Sequence, residues 1–181
     1  MIAADGAVHS VQSAELTLPQ GELARLWKRA NLENLGRTYW RFLSRFTMGL
    51  IRVKYTEHDR SVVLLARPFV LLRMAAPEYE VTAGHGQISW RIIDGLLVSR
   101  SRGQSGRLAI DVHSLRSDAD RATLSVAVEV TNFYPAIASR IGTTAYEATQ
   151  AFVHVLVTHA FLRSLATLEL AESKVGKLRD P

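Results

Sequence analysis

The sequence predicts an α+β fold: a curved antiparallel β-sheet gripping a long C-terminal α-helix, with short helices between strands 1 and 2. Three observations predict it. Segments that alternate apolar and polar residues fill 50–131, joined by short connections, as in an antiparallel meander. A stretch with helical spacing precedes them, over 23–46. The chain then runs through 144–172, about thirty residues that are apolar on nearly every side.

The first strand is expected over 11–18, where Ala14, Leu16 and Leu18 share one face. Pro19 and Gly21 interrupt it. Leu23, Leu26, Trp27 and Ala30 follow the spacing of one helix face, and 31–36 reads as a break. Tyr39, Phe42, Leu43 and Phe46 resume that spacing, with Arg37, Arg41 and Arg45 on the opposite face. Strands are expected at 50–56, 61–66, 69–74 and 77–82. Ala83-Gly84-His85-Gly86 reads as a turn. In 87–93, Ile88, Trp90 and Ile92 point one way and Gln87, Ser89 and Arg91 the other. Asp94-Gly95 fits a bulge that bends one long strand better than a tight hairpin, because the next turn signal, 102–106, follows soon after. Further strands are expected at 107–113 and 122–131, with a polar loop over 114–121.

Thr144-Ala145-Tyr146-Glu147 has the pattern of a capping box opening the last helix. Within that helix, 151–170 is long enough to span a bilayer. It also carries His154, His159, Arg163 and Glu169, and a charge near mid-span costs roughly 2.5–3.5 kcal/mol. A buried helix covered on more than one side is the expectation.

Composition narrows the class. The chain has 181 residues, 48% hydrophobic and 22% charged, which suits one globular domain. With no cysteine there is no disulfide framework, thiolate metal site or cysteine nucleophile. No secretory signal is visible in residues 1–15, and a cytoplasmic location is expected. Between Pro19 and Arg60 nine Lys/Arg face four acids, an excess as large as the net charge of +5. The front third is therefore the candidate surface for anionic partners.

In element order and lengths the chain resembles the helix-grip superfamily, also called START-like or SRPBCC. Lipid-transfer domains, polyketide cyclases and the major birch-pollen allergen belong to it. Pro77-Glu78-Tyr79 and the run from Ser89-Trp90-Arg91-Ile92-Ile93 through Asp94-Gly95-Leu96-Leu97-Val98 look like its mid-sheet strands. The resemblance covers nearly the whole chain and rests on no diagnostic motif. It implies one domain over 1–181, with loose termini at 1–8 and 174–181. It also implies a gap between sheet and last helix that holds a hydrophobic or amphipathic small molecule, lipid or polyketide-like.

The residues expected around that gap are Trp27, Tyr39, Phe42, Trp90, Ile92, Tyr134, Phe152, His159 and Arg163. His159 would donate a hydrogen bond or carry a proton. Arg163, one turn further on, would clamp a carboxylate or phosphate. Arg37, Arg41 and Arg45 are candidates for transient contact with an anionic membrane surface. No catalytic residue, cofactor or metal is expected. His154 and His159 lie five apart on a helix and diverge by about 140°, too far to share an ion. Asp94, Asp111 and Glu129 are the candidate acids. Asp111 and Glu129 are expected on the wet face, paired with Arg91 or Arg107. No phosphate loop, G-x-S-x-G or HExxH occurs, which leans the reading away from an enzyme. Nucleic acid is not expected, for want of a recognition motif. Two alternatives stand beside the binder: a cyclase- or hydrolase-type enzyme on the same scaffold, and a homodimeric interaction protein whose second subunit covers the helix and leaves no cavity.

Overall fold

The computed structural model describes residues 8–21, 23, 27–64, 69–98 and 106–133. The expected last helix, 144–172, lies outside the described residues, as do Tyr134, Phe152, His154, His159 and Arg163. The described chain runs β1 (Val8–Pro19), α1 (Arg29–Phe46), β2 (Ile51–Tyr55), β3 (Asp59–Leu64) and β4 (Phe69–Ala75). It continues through β5 (Glu78–Thr82), β6 (His85–Asp94), β7 (Arg107–Ser117) and β8 (Arg121–Phe133). As far as it reaches, this is the order that the resemblance implies. Among the described residues no helix is long and apolar enough to cross a membrane.

All pairings are antiparallel, in the order β1-β8-β7-β6-β4-β3-β2. β1 therefore joins β8, the last described strand, and the sheet curves. β4 and β5 lie end to end along one edge of β6: Met74 is opposite Ile92, while Glu78 to Thr82 run opposite Ser89 to His85. Pro77 stands at the break and has no N–H to offer a ladder. The neighbouring Ala76 amide turns instead to the His58 carbonyl at 2.9 Å.

Alternation decides which face is buried. Leu16 and Leu18, Ile88, Trp90 and Ile92, Leu108, Ile110 and Val112, and Leu124, Val126 and Val128 all reach one core. Each large side chain fully buried there contributes about 1.5–3 kcal/mol. α1 adds Leu32, Tyr39 and Trp40 to the same core.

Three sequence expectations change. The break expected at 31–36 is helix, because Gly36 is a contact point rather than a stop. The turn expected over Ala83-Gly84-His85-Gly86 shrinks to Ala83-Gly84, and β6 begins at His85. β7 continues to Ser117, so the loop expected over 114–121 shrinks to 118–120. At Asp94-Gly95 the chain does not double back. The Leu96 and Leu97 amides go on to the Val70 and Leu71 carbonyls at 3.0 and 3.1 Å.

α1 ends on left-handed backbone at Met48 (φ 52°) and Gly49 (φ 78°). The Gly49 amide closes the end by donating to the Ser44 carbonyl at 2.8 Å. Glycine is the ordinary residue for such a terminus; Met48 occupies it with a side chain 88% exposed.

Candidate functional site: a cleft between helix and sheet

Where α1 crosses β6, the helix presents Leu32, Gly36, Tyr39 and Trp40 to the sheet. Without a side chain at Gly36, the helix backbone comes against Trp90 and Ile88. Trp40 then meets Trp90 edge-on, centroids 5.2 Å apart, with Tyr39 edge-on behind it at 5.0 Å. Beside this contact lies a half-open cleft. Gly36, Trp40, Pro77, Ile88 and Trp90 form its apolar part, and Glu33, Arg37, Tyr55, Arg60 and Tyr79 its more polar part. Its free volume is about 10 Å³, room for roughly one water.

The polar part is rich in donors. Arg37 donates to the Glu33 carboxylate at 2.6 Å. Arg60 lies over the Tyr55 ring at 5.1 Å, and Arg29 over the Tyr79 ring at 4.6 Å, both within cation–π range. Partial burial raises the Tyr55 phenol above its ordinary range, against the lowering pull of Arg60. Burial also raises Tyr79, helped by the Glu33 charge and opposed by Arg29. Both phenols therefore keep their protons at neutral pH. Trp40 adds a buried indole N–H with no acceptor among the described residues. An orphaned buried donor costs about 1–3 kcal/mol, which an incoming acceptor would recover.

Of the expected lining residues, Trp90 is in this cleft and is 2% exposed. Tyr39 stands one ring behind it. Trp27 is half-buried near Gly86, and Ile92 is buried near Gly106, both in the same core. Phe42 is half-buried and stacks on Phe46 at 6.1 Å. Arg37, Arg41 and Arg45 are exposed, with Arg37 at the cleft mouth. Sequence reasoning passed over Trp40, Tyr55, Arg60 and Tyr79. The sequence does hold a helical signal for Trp40: Leu32, Gly36 and Trp40 step by fours, but a glycine in that run reads as a break. Tyr55, Arg60 and Tyr79 are brought together by three different strands.

The acids sit elsewhere. Asp94 forms a two-pronged pair with Arg73 on the neighbouring strand, Nε to Oδ1 at 3.0 Å. Asp111 does not pair with Arg91 or Arg107. It meets His85, Gln87 and His113 on the outer face of the sheet, opposite the cleft.

No family model and no curated protein matches this chain. Solved structures that align with it include a conserved protein from Geobacillus kaustophilus, at 9% identity and a TM-score of 0.43, covering 89% of this chain and 97% of the other. The XoxI protein from Bacillus cereus aligns at 13% identity and a TM-score of 0.45, covering 90% and 96%. The Zhui aromatase/cyclase from Streptomyces sp. R1128 aligns at 10% identity and 0.44, covering 90% and 93%. Likeness at this level has no bearing on the role of any side chain.

Proposed function

We propose that this protein is a single helix-grip domain that binds a hydrophobic or amphipathic small molecule on the inner face of its sheet. In this reading the cleft is the polar mouth of the chamber that the sequence leads one to expect between the sheet and segment 144–172. A drug-sized guest needs about 300 Å³ or more, so the cleft serves as the mouth and not the whole chamber. The observation that carries the reading is the Trp40 indole N–H, without an acceptor among the described residues, beside an apolar floor and a rim of guanidinium and phenol donors. Such a donor set suits a guest with carbonyl or carboxylate oxygens, as in a fatty acid or a polyketide-like compound.

Binding is favoured over catalysis because the described histidine–acid pairs lie on the face opposite the cleft. A reacting pair has to be within hydrogen-bond reach of its substrate.

The guest exchanges with an anionic membrane surface in this proposal. Phe46, Met48 and Leu50 are exposed at the end of α1 (41%, 88% and 50%), with Arg41 and Arg45 on the same helix. Apolar tips flanked by cations are what an anionic bilayer surface attracts.

Native mass spectrometry of the purified protein, with titration of a fluorescent fatty acid, tests the proposal. A co-purifying hydrophobic mass and saturable uptake weakened by W40F support it. A ligand-free protein that takes up no probe rejects it. A ligand-free dimer with no uptake would favour the interaction protein instead.

A further inference from the structure

On the outer face of the sheet, away from the cleft, His85 and His113 are direct cross-strand neighbours on β6 and β7. Their rings stack with centroids 4.4 Å apart and planes 10° from parallel. Asp111, two residues before His113 and on the same face, sends its carboxylate to both. His85 Nε2 is 3.2 Å from Oδ2, and His113 Nε2 meets the buried Oδ1. One ligand atom from each of the three residues lies within 4.8 Å of the others.

We propose that His85, Asp111 and His113 bind a divalent first-row transition-metal ion of the zinc class. Two imidazole nitrogens and a carboxylate oxygen are a donor set that such ions take, and a three-residue set leaves a position for water. Ligand atoms around a tetrahedral zinc stand about 3.3 Å apart, given bonds of about 2.0–2.1 Å. The His85–Asp111 separation is already close to that value.

The surroundings are those of a built site. Gln87 Nε2 donates to Asp111 Oδ2 at 2.6 Å, and Arg107 donates to Gln87 Oε1 at 2.6 Å and to Ser89 Oγ at 2.7 Å. This chain orients the carboxylate as outer-shell partners orient metal ligands. Opposite Asp111 and His113 on β8 stand the small residues Ala127 and Ser125. His85 is positioned from beneath: a side chain on Gly86 would press on Leu32 at 3.0 Å, so glycine lets β6 sit close under α1.

Titration of the full chain with zinc chloride against a chromophoric chelator tests this. One zinc per chain is expected, with affinity reduced at least about tenfold in H85A, H113A and D111N alike. The His113 side chain is 54% exposed, so H113A is the variant that keeps the fold, checked by far-ultraviolet circular dichroism. Absence of saturable binding, or unchanged affinity in H113A, overturns the site.

Discussion

Gly36 of α1 and Trp90 of β6 touch backbone to ring. A Cβ at Gly36 would lie 3.0 Å from Trp90 Cζ2 and Cη2 and 2.9 Å from Ile88 Cδ1. Trp90 is held from another side by Trp40 and has little room to yield. In G36A the helix gains roughly 1 kcal/mol of propensity, while overpacking costs about 1–3 kcal/mol. A net loss of about 1 kcal/mol is expected, read as a lower urea midpoint with unchanged slope. A variant as stable as the parent would mean that the helix is free to lift off the sheet.

Gly95 makes the heavier demand. Its φ of 144° is one that side chains avoid, and a Cβ would overlap the Leu71 carbonyl and approach Leu72 Cα at 2.8 Å. Backbone strain and overlap together are expected to cost on the order of 3 kcal/mol in G95A. Gly21 has nothing within 4 Å of its Cβ position and serves as the control, with G21A expected within about 0.5 kcal/mol of the parent. Urea unfolding of both variants decides it; equal stabilities would refute the packing account.

The two rim tyrosines predict an alkaline limit. Burial raises both phenols, so the folded state holds their protons more tightly than the unfolded chain does. Their contribution is complete below the ordinary phenol range near 10 and is lost as pH rises through and beyond it. Absorbance titration at about 295 nm should show a late-ionising component among the five tyrosines, reduced by Y55F and by Y79F. If neither variant alters that component, the rim phenols are not the shifted groups.

The α1 tip predicts salt-sensitive vesicle binding. M48E and R45E should each reduce sedimentation with phosphatidylserine vesicles severalfold, with little change in stability, since both side chains are exposed. High salt should weaken the parent's binding as well. Parent protein that never sediments with the vesicles would remove the membrane from the proposed function.

Periodicity alone was enough to read the inward sets of β6, β7 and β8, because a strand's faces alternate by geometry whatever it packs against. The spacing of Tyr39 and Phe42 placed a helix for the same reason. Contact between distant residues was beyond it. Gly36 looks like a helix break until Trp90 stands opposite, and Gly84-His85-Gly86 looks like a turn until β7 sets His113 and Asp111 beside it. Asp111 shows why charge matching along a sequence misleads. Arg91 and Arg107 were the available cations by alternation, but strand register put Gln87 opposite Asp111 and His85 opposite His113. Local pattern decides which way each side chain points; only the packed sheet decides what it meets.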